Sequence, residues 1–268
     1  MNTTPRFDPS GFDSQPQGIR PVPQQRIREK LDDYMSRRDY PAVERHLLYW
    51  KEEARLGRDQ RGLLMILNEL VGHYRKTGER DKAMAAADEA LSLVDAMGFA
   101  GSISEGTTCV NCATAMNAFG ENDRALQLFE RARGVYEQSP AIEPGLLGGL
   151  YNNMALTCVS LGRFDEAWDL YDRAMDCMAK APNGALEQAV TCLNRAALLE
   201  ARDGLEAAEG RIFDLTEQAA ALLDAPGVPH DGYYAFVCEK CAPAFDYYGC
   251  FADAERFRQE AQRIYERA

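Results

Sequence analysis

Three stretches of this chain align without a gap: YRKTGERDKAMAAADEAL (Tyr74–Leu91), MNAFGENDRALQLFERAR (Met116–Arg133) and CVSLGRFDEAWDLYDRAM (Cys158–Met175). Each carries a turn glycine, then an acidic residue, then alanines and one larger slot at helical spacing. The glycines Gly78, Gly120 and Gly162 recur every 42 residues. A fixed period of that size marks a solenoid of stacked units. A single unit cannot bury its apolar face alone, so a neighbour must cover it. The text around the repeats is rich in Ala, Leu, Glu and Arg and has few β-branched runs, so the units are helix pairs.

The pattern resembles the tetratricopeptide repeat. That family wants small residues at its eighth, twentieth and twenty-seventh positions and a large apolar residue at its twenty-fourth. Here the eighth position is Val71, Ala113, Ala155 and Ala196, and the twentieth is Ala83, Ala125, Ala167 and Ala208. The twenty-fourth is Ala87, Phe129, Tyr171 and Ile212, and the twenty-seventh is Ala90, Ala132, Ala174 and Leu215. Small residues let two antiparallel helices approach closely, and the larger one fills the gap toward the next repeat. Weaker outer units place His46 and Arg258 at the large apolar slot, as suits end repeats with one uncovered face. The usual Trp is replaced by Leu67, Cys109, Tyr151, Cys192 and Cys238, and the terminal Pro is missing. The long period is similar to that of kinesin light chains and of bacterial peptide-sensing regulators. The resemblance implies an all-α, right-handed superhelical solenoid of about six antiparallel helix pairs over residues 25–268. Residues 1–24, rich in Pro, Gln and small polar residues, read as a disordered tail.

Charge narrows the partners. The chain of 268 residues has a formal net charge of −12, which disfavours nucleic acid and anionic membrane surfaces. The N-terminal text has no signal-peptide pattern and the chain has no apolar run of membrane-spanning length, so a cytoplasmic protein is expected. Its eight cysteines should then stay reduced.

Two CxxC motifs, Cys109–Cys112 and Cys238–Cys241, invite a zinc or redox reading. In the repeat register both pairs take the fourth and seventh positions of a first helix, which face the partner helix. Residues three apart share a helix face, so packing alone produces the spacing. The pairs are three repeats apart and lie in mid-helix, without the four converging ligands of a zinc site or the strand context of a redox dithiol. They are expected to pack as small hydrophobes.

In the repeat family the first helices line a concave face. Its sixth position here is Asn111, Asn153 and Asn194, with Asn68 and Asn152 at the fifth and Asn117 at the twelfth. Each carboxamide offers an acceptor and two donors, enough to grip an extended peptide backbone. The resemblance implies that use; bonding between neighbouring amides is the alternative. Phe236 and Tyr247 fall at concave positions of the last repeat and are candidate aromatic anchors. The basic clamp by which some family members hold a terminal carboxylate is absent, with Thr107, Gly149 and Val190 at one of its slots. Pro243 is expected to kink its helix.

No nucleophile motif, phosphate loop or metal-ligand spacing occurs around His46, His73 or His230. The reading is therefore a non-catalytic binder of an extended peptide or partner segment, with no cofactor and no metal. A peptide-sensing regulator and a self-assembling structural subunit are the alternatives.

Overall fold

The computed structural model describes residues 18–267. Among them are twelve helices and no strand, as the repeat pattern requires. The chain divides into two compact units at Pro140. The N-terminal unit holds α1 (Gln24–Ser36), α2 (Tyr40–Leu56), α3 (Gln60–Thr77), α4 (Arg80–Ala96), α5 (Ile103–Ala118) and α6 (Asn122–Gln138). The C-terminal unit holds α7 (Pro144–Ser160), α8 (Phe164–Met178), α9 (Gly184–Asp203), α10 (Leu205–Leu223), α11 (Gly232–Tyr247) and α12 (Phe251–Tyr265). Odd helices are the first members of pairs and even helices the second. Each first helix packs on its own second helix; in addition α3 packs on α5, α7 on α9, and α9 on α11. In the N-terminal unit α3 and α5 thus lie side by side, as do α7, α9 and α11 in the C-terminal unit.

The turns show why glycine recurs. Gly78, Gly120 and Gly162 have φ of 75°, 80° and 72°, the left-handed region that a side chain disfavours. The following residue then closes the same bond each time: Glu79 N–H to Tyr74 O at 2.9 Å, Glu121 to Met116 at 2.9 Å, Arg163 to Cys158 at 2.8 Å. This is the six-to-one closure of a Schellman end, which satisfies a carbonyl left open by the helix terminus.

The repeat positions fill the core. Val71, Ala113, Ala155 and Ala196 are buried, as are Ala83, Ala125, Ala167 and Ala208. Phe129, Tyr171 and Ile212 are buried between helices, while Leu215 is partly buried. At the outer units Arg258 is exposed and pairs with Asp246, and His46 is half-buried with Nε2 3.2 Å from Ile27 O.

Three expectations need comment. The tail, expected to run unstructured to Gln24, has its first 17 residues outside the described residues. The rest is held: Arg20 N–H donates to Gly57 O at 2.9 Å, and Val22 N–H to Asp59 Oδ2 at 2.9 Å. Asp59 also accepts from Gly62 N–H at 2.9 Å, so the residue that caps α3 ties down the segment before α1. Pro243, in turn, lies within α11, which continues past it to Tyr247. All eight cysteines are free thiols; the four of the CxxC pairs are buried, as are Cys158 and Cys192. Burial pushes the Cys109, Cys238 and Cys241 thiols up to about 12, so they carry no nucleophilic thiolate at neutral pH.

Candidate functional site

The asparagines come together in pairs. In the N-terminal unit Asn111 Nδ2 donates to Asn68 Oδ1 at 2.8 Å, and Asn68 Nδ2 donates to Thr108 Oγ1 at 3.1 Å and Leu64 O at 2.9 Å. In the C-terminal unit Asn194 Nδ2 donates to Asn152 Oδ1 at 3.2 Å, and Thr191 Oγ1 reaches the same oxygen at 3.4 Å. Each pair joins the fifth position of one repeat to the sixth of the next. The sixth positions alone do not define the pairing, and among the described residues no side-chain bond involves Asn153. The threonines were missed in the sequence, although a signal was there. TCVN (Thr108–Asn111) and TCLN (Thr191–Asn194) repeat one motif on α5 and α9, each after a helix with Asn at its fifth position.

These rungs consume only part of the amide capacity. Asn68 and Asn111 are 6% and 5% exposed, yet Asn111 Oδ1 has no hydrogen-bond partner among the described residues. Asn117 Oδ1, on the same helix, is also buried without a partner among the described residues. A buried acceptor left unmatched costs about 1–3 kcal/mol.

The C-terminal unit has room beside its rung. A groove of about 230 Å³ is lined by Gly149, Asn152, Asn153, Glu187, Tyr233 and Lys240. A second, of about 400 Å³, includes Val190, Asn194, Glu200, Lys240 and Tyr247. Lys240 lines both. A Cβ at Gly149 would meet nothing within 4 Å, so that glycine leaves the groove open. Tyr247 is 63% exposed and donates to Glu200 Oε1 at 2.5 Å; Tyr248 donates to Oε2 at 3.0 Å. Phe236 behaves differently. It is half-buried, stacks on Tyr233 with centroids 6.4 Å apart, and packs against the α9–α12 core. Burial raises the Glu187 carboxyl above the usual carboxylate range, with Lys240 opposing the shift, and Tyr233 donates its hydroxyl to Glu187. Glu187, Glu200 and Lys240 were not singled out in the sequence, because charged residues on helix surfaces are common and no local pattern marks these.

Residues 150–186 match the family model described as tetratricopeptide repeat. No curated protein matches the sequence. Among solved structures, BtubC (BKLC) from P. vanneervenii is 18% identical with a TM-score of 0.55, over 85% of this chain and 90% of that one. A putative kinesin light chain with nearly identical TPR-like repeats, from Podosopora anserina, is 16% identical with a TM-score of 0.50, over 74% and 92%. A Rap protein complexed with Competence and Sporulation Factor is 14% identical with a TM-score of 0.51, over 89% and 73%. The fold is that of a tetratricopeptide repeat protein. No helix among the described residues is long and apolar enough to cross a membrane.

Proposed function

We propose that this protein is a non-catalytic scaffold that binds an extended peptide or partner segment along first helices of its repeats. The observation that carries the reading is Asn111: its Nδ2 is engaged by the rung, while its Oδ1 is buried and unmatched. A peptide backbone N–H would supply the missing donor, without any demand on the peptide's side chains, once the groups covering that oxygen turn aside. The amide pair fixes the orientation of Asn111 in advance, which lowers the entropy lost on binding. In the C-terminal unit the Asn152–Asn194 rung plays the matching part, with Tyr247 as an exposed aromatic contact. A Rap protein of similar fold has been solved with a bound factor, which agrees with this reading.

The test is selection of peptides from a random display library on the immobilised protein. Affinities of the winners are then measured by fluorescence anisotropy. Asn111→Ala should weaken a peptide that bonds there by about tenfold, the equivalent of one hydrogen bond of about 1.4 kcal/mol. Glu130→Gln, on second helix α6, should leave it unchanged. Winners that bind Asn111→Ala, Asn194→Ala and Tyr247→Ala as well as wild type would place binding elsewhere and sink the proposal.

A further inference from the structure

The turn between α3 and α4 gathers residues that are far apart in the sequence. Gly78 ends α3 in the left-handed conformation, and Glu79 becomes the N-cap of α4 without using its side chain as a cap. The Glu79 carboxylate lies near His73 instead, where it accepts from Thr77 and pairs with Lys82. Helix α2 packs on α3 and brings Glu44 to the same place. One ring nitrogen of His73 and one oxygen of each glutamate lie within 4.8 Å of one another. His73 is only 5% exposed, and its Nδ1 is buried with no hydrogen-bond partner among the described residues.

We propose that Glu44, His73 and Glu79 bind a divalent transition-metal cation, with Zn²⁺ the best match to one imidazole and two carboxylates. Three protein ligands and a water complete a four-coordinate shell. Mg²⁺ and Ca²⁺ favour oxygen donors throughout and gain little from the ring nitrogen. The carboxylates are already held by outer hydrogen bonds of the kind that orient metal ligands. Tyr74 OH donates to Glu44 Oε1 at 3.1 Å, and Thr77 Oγ1 to Glu79 Oε1 at 3.0 Å.

A cation already bridges the two carboxylates. Lys82 Nζ lies 2.7 Å from Glu44 Oε1 and 2.5 Å from Glu79 Oε2. The side chain is 50% exposed and its stem is flexible, so the ammonium swings into solvent when a metal arrives. Zinc–ligand bonds of about 2.0–2.2 Å require donors roughly 3.3–3.6 Å apart. Rotation of the two half-buried glutamate side chains would have to close that gap. Bound metal would cross-link α2, α3 and the start of α4, so it stabilises the N-terminal unit by mass action.

The experiment is calorimetric titration of ZnCl₂ into chelator-stripped full-length protein, with thermal melting in parallel. Wild type should bind one ion per chain and melt higher with it, and MgCl₂ should give no comparable heat. His73→Asn and Glu79→Gln should each weaken binding by more than about tenfold, as loss of one ligand does. Glu79→Gln alters a half-buried residue, so it serves if His73→Asn fails to fold. Lys82→Met should tighten binding, since the competing ammonium is gone. His230→Asn, at an exposed histidine in the C-terminal unit, should change nothing. No zinc binding, or zinc binding indifferent to both His73→Asn and Glu79→Gln, overturns the site. Weaker binding in Lys82→Met overturns the competition.

Discussion

In the N-terminal unit both members of the amide rung are buried, at 6% for Asn68 and 5% for Asn111; in the C-terminal unit Asn152 is 8% exposed while Asn194 is half-buried beside an open groove. The repeat that builds the two is the same, with buried alanine at the eighth position in Ala113 and Ala155 and at the twentieth in Ala125 and Ala167. The difference lies on the face. Helix α5 presents Thr107 and Thr108, which are consumed by bonds to Tyr136 and Asn68. Helix α7 presents Gly149, where an added Cβ would meet nothing within 4 Å, and α9 and α11 supply Glu187, Glu200, Lys240 and Tyr247 around the space. Core positions are fixed by the close approach of helices, whereas face positions answer only to what they bind. The grooved face of the C-terminal unit has volume for side chains.

The comparison can be broken first at the glycines that let helices touch. A Cβ on Gly184 would run into the Met178 carbonyl, and one on Gly106 into the Tyr136 ring. A carbonyl in the backbone of α8 cannot turn aside, and a buried ring has only limited freedom. Gly184→Ala should therefore cost about 3 kcal/mol or more and Gly106→Ala about 1–3 kcal/mol, read as urea midpoints monitored by circular dichroism. Equal losses would mean that the Met178 turn is softer than its packing indicates.

The rungs give a smaller contrast. Asn111→Ala should destabilise by about 1–3 kcal/mol, because it leaves the buried Asn68 oxygen without its donor. Asn194→Ala should cost about 0.5–1.5 kcal/mol, since water can reach a half-buried amide and Thr191 still contacts Asn152. The same denaturation curves decide it, and the reverse order would show that the buried rung is already strained.

The smallest effect concerns Glu187. Its carboxyl is raised by burial, so the native state holds that proton more firmly than the unfolded chain does. The stabilisation this gives is complete below the unfolded value near about 4.3 and is lost as pH rises through the folded value. Glu187→Gln should therefore melt slightly above wild type at pH 7, and the gap should close near about pH 4. A melting gap that persists at low pH would assign the effect to packing and not to charge.

Much of this molecule was legible in the sequence. The 42-residue period, the turn glycines and the small residues at fixed positions gave twelve helices in pairs, because each depends on contacts within one hairpin or with the next. The paired asparagines were legible as residue types, and so was the reading of the CxxC cysteines as packing. Their partners were not. Asn68 meets Asn111 and Thr108 only when α3 lies on α5 with a one-position offset, and Arg20 and Val22 gain their partners only where the α2–α3 turn places Gly57 and Asp59. No spacing along a single helix marks the Glu44, His73 and Glu79 cluster. Glu44 and Glu79 reach His73 from another helix and from across a turn. A short-range period records what one helix pair needs in order to form, and so the sequence determined the repeat. Which side chains meet between helices depends on their offset and rotation once packed, and only the tertiary structure decided that.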